Sequence, residues 1–196
     1  MTEAKPKRNS IPRNLLLAAI AAAVAFFAFK FSGAPEMIRH ALVGTEAPME
    51  ISGPILSSEA LDFPLETMDG EMISLGDFEG DVIMLTYWAS WCITCRQTNP
   101  TIQTLATELS ERNDIRIMLM SLDNVPENAV DYLESGRFTI PNVFPGRALP
   151  SPLNSAAIPT TYVIDKNGQI VYRNTGYSNY SRSAFREWME ELADRS

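Results

Sequence analysis

The stretch of sequence that decides the fold spans residues 82–95 and reads VIMLTYWASWCITC. Its first seven residues form a nearly unbroken apolar run, which is typical of a central strand covered on both faces. Cys92 and Cys95 follow this run directly. The two cysteines are therefore expected at the point where a central strand ends and the next element begins.

The residues that follow the cysteines predict a helix from about Cys92 to Ser110. Apolar side chains recur there at helical spacing, namely at Ile102, Leu105, Ala106 and Leu109. Pro100 is expected to kink this helix or to restart it, because proline lacks the N–H that a helix interior needs. The cysteines then lie at the amino end of the helix.

Further elements extend this unit in both directions along the chain. Residues 115–122 predict a second apolar strand, and residues 126–134 a helix with proline in its first turn. A strand, a helix and a second strand in this order require a parallel pair with a right-handed crossover. The central part of the chain is therefore expected to be an α/β sheet.

Two hairpins and a last helix complete the expected domain. Asp69-Gly70 between residues 63–65 and 72–75 predicts one hairpin, and residues 166–168 predict another between residues 161–165 and 169–172. The terminal helix is amphipathic, with its apolar side chains at Phe185, Trp188, Met189 and Leu192.

Composition excludes several classes of protein. The chain has 196 residues, of which 45% are hydrophobic, and this supports one domain with a core. Two cysteines and the single histidine, His40, exclude a disulfide-rich scaffold and a zinc finger. Residues 41–196 carry ten basic and 22 acidic side chains, so nucleic acid is not an expected partner.

The amino terminus predicts export. Residues 1–13 are basic and are expected to stay in the cytoplasm, whereas residues 14–35 are uncharged apart from Lys30. These 22 residues would reach about 33 Å as a helix, enough to cross a bilayer. A transmembrane anchor and a cleaved signal peptide both fit. Residues 36–59 are rich in Pro, Gly, Ser and Glu and are interpreted as an exported linker to a domain of residues 60–196.

The position of the cysteine pair indicates redox chemistry. Free N–H groups at a helix amino end stabilise an anion, so the pKa of the Cys92 thiol is expected to be low and Cys92 to be the nucleophile. Cys95 lies one helical turn further on and could resolve a mixed disulfide. A structural disulfide, half of a metal site and two unreactive thiols are the alternatives. A disulfide that closes so short a loop would stabilise little, and a metal would lack further ligands.

Several motifs in order resemble thioredoxin, and specifically the membrane-anchored thiol-disulfide oxidoreductases of the TlpA and ResA type. The resemblance covers roughly residues 60–196. The motifs that carry it are ALDFPL at 60–65, DG at 69–70, SL at 74–75, YWASWCITCR at 87–96, Pro100, IPTTYVID at 158–165, Gly168 and Gly176. It implies a thioredoxin fold, in which helices flank a central mixed sheet, with an amino-terminal β-hairpin extension.

The resemblance also implies the parts of the site. Pro159 is expected in the cis form, facing the disulfide, with Ile158 free to pair with an extended polypeptide. Of Trp88 and Trp91, one is expected to pack in the core and the other, Trp91, to lie at the rim beside Cys92. Two positions depart from the family pattern, because Thr86 and Thr98 stand where many relatives have acidic or polar residues. A carboxylate-assisted deprotonation of Cys95 is therefore in doubt.

The expected function is exchange of a dithiol for a disulfide with protein substrates, on the periplasmic side of a membrane. The resemblance favours the reducing direction, for example in cytochrome c maturation or disulfide repair, with a membrane redox partner that recharges the pair. It implies no metal and no cofactor beyond the Cys92–Cys95 disulfide. A thioredoxin-fold copper chaperone and a peroxidase of the same fold are the alternatives. Neither matches well, since no histidine follows His40 and neither cysteine has a peroxidase context.

Overall fold

The computed structural model describes residues 48–195. The seven strands are β1 (Leu65–Thr67), β2 (Met72–Ile73), β3 (Val82–Trp88), β4 (Ile115–Ser121), β5 (Asn142–Pro145), β6 (Thr160–Ile164) and β7 (Ile170–Thr175). The helices are α1 (Ser58–Leu61), α2 (Ile93–Glu108), α3 (Pro126–Ser135) and α4 (Ser183–Asp194), with a 3₁₀ helix at Leu75–Phe78.

One mixed sheet organises these elements, with the strand order β2-β1-β5-β4-β3-β6-β7. Strand β3 lies near its centre, parallel to β4 and antiparallel to β6. All seven residues of β3 are buried, as the apolar run predicts. The unit β3-α2-β4 is the predicted strand, helix and parallel strand, and the whole is the thioredoxin fold expected from the sequence.

Two hydrophobic cores cover the two faces of the sheet. Alternate residues of β3 point into different cores, with Met84 in one and Leu85 in the other, because side chains alternate along a strand. The first core joins the sheet to α2, α3 and α4 through residues such as Ile102, Leu133 and Trp188. The second core packs residues of α1 and the 3₁₀ helix against the opposite face.

Turns and helix ends follow the chemistry of their residues. Gly70 and Gly168 take φ values of +81° and +76° in the two hairpins, where a side chain would be strained. Helix α2 continues through Pro100 to Glu108, so no new helix starts there. Proline removes one backbone hydrogen bond, which the fifteen other helical residues and the buried face of α2 outweigh.

The segment before residue 60 differs from the expected linker. Within the described residues 48–59, the N–H groups of Ile51, Gly53 and Leu56 donate to backbone carbonyls of residues 168–171 at distances of 2.8–3.0 Å. Leu56 is buried in the second core. The boundary expected at residue 60 therefore falls inside packed structure. Backbone pairing with the start of β7 and the turn before it holds this segment, and such pairing leaves no periodic pattern in the sequence.

Helices within residues 48–195 are all too short or too polar to cross a bilayer. The expected basic segment 1–13, the expected anchor or signal segment 14–35, His40 and the first part of the expected linker lie outside the described residues.

Candidate active site

Cys92 and Cys95 lie where β3 gives way to α2, as the sequence predicts. Cys92 is the N-cap of α2, and its Sγ accepts a hydrogen bond of 3.1 Å from the N–H of Cys95. The two cysteines form a disulfide, with their Cα atoms 5.2 Å apart. A sulfur in this position faces the free N–H groups and the positive end of the helix dipole, which stabilise a thiolate after reduction.

The two sulfurs differ in access to solvent. Cys92 is 8% exposed and Cys95 is fully buried. An incoming protein can therefore reach only Cys92, and Cys95 can act only from within the protein. This difference agrees with the expected roles of nucleophile and resolving thiol.

The loop before Cys92 is tied to the end of β4. The N–H of Cys92 donates to the carbonyl of Ala89 at 3.1 Å, which closes a turn over residues 89–92. Ser90 in this turn donates to the carboxylate of Asp123 from its N–H at 2.9 Å and from its hydroxyl at 2.7 Å. Sequence reasoning missed Asp123. A polar residue at the carboxyl end of the neighbouring parallel strand was the available signal, because such ends meet at one edge of the sheet.

Ile158 and Pro159, which directly precede β6, face the pair. The peptide bond between them is cis, and the carbonyl oxygen of Ile158 lies 4.0 Å from the Sγ of Cys92. The carbonyl of Pro159 is already used, because it accepts a bond of 2.8 Å from the N–H of Gly176. Residues that the sequence places 66 positions apart thus meet at the disulfide.

Trp88 and Trp91 differ in burial, with Trp88 in the core and Trp91 exposed to solvent. Trp88 is buried, and its Nε1 donates to the Oδ1 of Asn142 at 2.9 Å. Trp91 is 67% exposed and Ile93 is 76% exposed, on either side of Cys92. Large apolar side chains that remain in water beside a reactive group are available for contact with a partner.

Thr86 and Thr98, the two positions expected to depart from the family pattern, both use their hydroxyls in hydrogen bonds within the protein. The hydroxyl of Thr86 lies 2.9 Å from that of Thr161 on β6, and the hydroxyl of Thr98 donates to the carbonyl of Thr94 at 3.1 Å. Every buried polar side chain within residues 48–195 is uncharged; they are Thr86, Thr98, Asn99, Ser121, Asn142, Thr160 and Thr161. A buried carboxylate is therefore not available among these residues to deprotonate Cys95.

Buried phenols do not take over this role. Burial raises the pKa of Tyr87 and of Tyr180 above the usual value, because the protein interior disfavours the charged form. Both side chains stay neutral at the pH values where thiols exchange. Within the described part of the chain, no three His, Cys, Asp or Glu side chains come together in a way that could hold a metal ion.

Comparison with known proteins agrees with this geometry. Residues 43–187 match the family model described as Redoxin. The chain belongs to the redoxin family. The matched range begins before residue 60 and so includes the packed segment that precedes α1. The resemblance to thioredoxin-like thiol-disulfide oxidoreductases of the TlpA and ResA type is confirmed.

Three members or structural neighbours illustrate the relation. The thioredoxin-like protein YneN of Bacillus subtilis is 29% identical over 113 residues, which cover 57% of this chain and 66% of YneN. The thiol-disulfide oxidoreductase ResA of Oceanobacillus iheyensis is 32% identical over 116 residues, which cover 57% of this chain and 60% of ResA. The crystal structure of StoA from Bacillus subtilis superposes with a TM-score of 0.56 at 22% identity, over 66% of this chain and 98% of StoA.

This chain covers less than two thirds of the length of YneN and of ResA. The StoA structure supports the fold of the domain.

Proposed function

We propose that this protein is a thiol-disulfide oxidoreductase, tethered to a membrane with its domain outside the cytoplasm, that reduces disulfides in protein substrates. The observation that carries the proposal is the asymmetry of the pair, in which Cys92 caps α2 and is accessible while Cys95 is fully buried. Curated relatives named thiol-disulfide oxidoreductases support the activity.

The first step of the proposed reaction forms a mixed disulfide. In the reduced protein the thiolate of Cys92 attacks one sulfur of a substrate disulfide. A bond forms between the Cys92 Sγ and that sulfur, the substrate disulfide breaks, and the second substrate sulfur leaves as a thiolate that takes a proton from water. The helix amino end favours this step because it stabilises the attacking anion.

The second step releases the substrate. Cys95 gives its proton to water, and its thiolate attacks the Sγ of Cys92 and forms the Cys92–Cys95 disulfide seen in the structure. The bond to the substrate breaks, and the substrate sulfur leaves as a thiolate that takes a proton from water. Two electrons have then passed from the protein to the substrate, which leaves as a dithiol. A dithiol partner, proposed to lie in or at the membrane, must reduce the pair again.

Substrate binding is proposed to involve Trp91, Ile158 and Pro159. A backbone carbonyl 4.0 Å from the reactive sulfur can pair with an extended segment that carries the substrate cysteine. The exposed indole of Trp91 can cover that segment from the other side and exclude water. This mode of binding uses backbone contacts and therefore suits several substrates.

The proposed location rests on the amino-terminal sequence. A basic segment at residues 1–13, followed by the apolar segment 14–35, favours an orientation with the domain exported. An oxidising compartment supplies substrate disulfides for such a protein. Cytochrome c maturation and disulfide repair are the two tasks proposed for it there.

Trapping the mixed disulfide tests the function. The Cys95→Ser variant, expressed as the full chain, should accumulate covalent adducts through Cys92, because the second step is blocked. The adducts should disappear on a non-reducing gel after treatment with dithiothreitol, and mass spectrometry of the released proteins should identify the substrates.

The Cys92→Ser variant is the matched control and should trap nothing. Adducts that form through Cys95 in this control would show that the roles of the two cysteines are reversed. Absence of adducts in both variants, together with a wild-type protein that does not reduce protein disulfides, would overturn the proposed function.

A further inference from the structure

The loop that presents Cys92 is held by a carboxylate from the neighbouring strand. Strands β3 and β4 are parallel with Trp88 opposite Ser121, and the N–H of Leu122 donates to the carbonyl of Trp88 at 2.8 Å. This register brings Asp123 beside Ser90. The two chain segments that leave the sheet at this edge are thus fixed to each other before either reaches its helix.

Asp123 accepts three hydrogen bonds in this position. Its Oδ2 accepts from the N–H of Ser90 at 2.9 Å and from the hydroxyl of Ser121 at 2.8 Å, and its Oδ1 accepts from the hydroxyl of Ser90 at 2.7 Å. The N–H of Asp123 donates in turn to the Ser121 hydroxyl at 3.1 Å. We call these three residues the serine–aspartate network.

The network acts on the turn that sets the position of Cys92. Ser90 is the second residue of the turn closed by the bond from the Cys92 N–H to the Ala89 carbonyl. A β-turn without side-chain support samples several conformations, and charge-assisted bonds restrict it more than neutral ones. Fixing Ser90 therefore fixes the backbone of Cys92, whose Sγ must meet the Cys95 N–H to be stabilised as an anion.

We propose that Asp123 is a positioning residue for Cys92, which holds the turn over residues 89–92 so that the reactive sulfur stays at the amino end of α2. This inference rests on the proposed function and adds to it a residue outside the cysteine motif. Asp123 does not touch the sulfur and takes no part in bond making.

The negative charge of Asp123 repels the negative charge of a Cys92 thiolate. A carboxylate near Cys92 disfavours the thiolate, whereas the geometry it maintains favours it. Three donors offset the negative charge of Asp123, so the effect of geometry should dominate. Arg96 follows Cys95 directly in the sequence, and its guanidinium lies 5.2 Å from the centre of the Tyr132 ring.

The test measures alkylation of Cys92 by iodoacetamide in the fully reduced protein as a function of pH. For Asp123→Ala we expect the profile to move to higher pH and the rate at pH 7 to fall about 3-fold to 15-fold, the upper value being the difference between a half-ionised thiol and a free one. For Asp123→Asn we expect a smaller change, because its amide oxygen still accepts from the Ser90 N–H.

Asp165→Ala is the matched control. Asp165 is also a loop carboxylate that accepts three hydrogen bonds, from the N–H of Asn167 at 3.0 Å, from its side-chain amide at 3.4 Å and from the N–H of Gln169 at 2.8 Å. It lies in the β6–β7 turn, at the opposite edge of the sheet. Its loss should lower stability without moving the alkylation profile of Cys92.

An unchanged profile in Asp123→Ala, or a shift to lower pH, would overturn the inference. If Asp123→Ala does not fold, Ser90→Ala decides, because it removes one of the three bonds and should shift the profile in the same direction by less. An unchanged profile in Ser90→Ala would then count against the network. The Cys95→Ser variant would still trap substrates through Cys92 in either case, so failure here is distinct from failure of the proposed function.

Discussion

The carboxyl ends of β3 and β4 form one edge of the sheet, which we call the redox edge. It carries the sulfur of Cys92 at the amino end of α2, the exposed indole of Trp91 and the carboxylate of Asp123 with its serine donors. The amino ends of the same strands form the opposite edge, which we call the far edge and which carries ion pairs in contact with water. Arg116 binds Asp81 at 2.7 Å there, and Arg112 binds Asp114 at 2.8 Å. Lys166 from the β6–β7 turn joins Asp114 at 3.8 Å.

The two edges show that the reactivity of Cys92 does not depend on charged side chains at the surface. Ion pairs between solvated side chains contribute little free energy and are screened by salt. A thiolate at a helix amino end depends instead on backbone N–H groups. Packing and hydrogen bonds to the surrounding chain hold these N–H groups in place. We therefore expect changes at the redox edge to alter the rate of thiol-disulfide exchange, and changes at the far edge to alter the stability of the protein in acid.

The largest expected effect comes from the reactive sulfur itself. Cys92→Ala should reduce the rate of insulin disulfide reduction to that of dithiothreitol without protein, because Cys95 is fully buried. Arg116→Ala at the opposite edge should leave the rate within about twofold of wild type, since an exposed ion pair is worth at most about 1 kcal/mol. Residual catalysis by Cys92→Ala, or an equal loss in both variants, would break the comparison between the edges.

A smaller effect is expected from the two tryptophans next to the redox edge. Trp88→Phe should lower the free energy of unfolding by about 1–3 kcal/mol, because the Oδ1 of buried Asn142 loses its donor. Trp91→Phe is the matched control and should stay within about 0.5 kcal/mol, since that indole is exposed. Urea unfolding of the oxidised proteins measures both values. Similar losses would contradict the assignment of Trp88 to the core and Trp91 to the rim.

The smallest expected effect concerns the ion pairs of the far edge. Hydrogen bonds from Arg112 hold the pKa of Asp114 below its usual value, so the folded protein binds a proton there less readily than the unfolded chain. The resulting stabilisation is complete above the ordinary carboxyl pKa of about 4 and is lost as the pH falls through the lowered value.

Arg112→Ala should cost less than about 1 kcal/mol near neutral pH and should flatten the fall of stability in this acidic range. Thermal melts between neutral pH and the acid transition measure the effect. A variant that melts with the wild-type dependence on pH would show that this pair contributes nothing.

Local patterns predicted most of the fold. The apolar run of β3, the turn residues Asp69-Gly70 and the periodic face of α4 each determine an element through their own residues. Strand β5 was not predicted, because it has only four residues, follows Pro141, ends in Pro145 and pairs with β4 at only two positions. The packed segment before α1 was not predicted either, because backbone hydrogen bonds to residues 168–171 hold it and such bonds do not depend on which side chains it carries.

The site was predictable where it is a motif and not where it is a meeting of distant segments. Cys92 and Cys95 follow from a strand that ends before a helix, and Pro159 from the family resemblance. The contact of Asp123 with Ser90 depends on the register of two parallel strands, which the sequence does not encode locally. The pairing of Thr86 with Thr161 depends likewise on β3 lying beside β6.

Titration of the Cys92 thiol tests the central claim most directly. In the reduced Cys95→Ser variant, the ultraviolet absorbance of the thiolate reports ionisation of Cys92 alone. We predict a midpoint clearly below about 8.5, the ordinary pKa of a free cysteine, because the amino end of α2 stabilises the anion. A midpoint at or above that value would contradict the account.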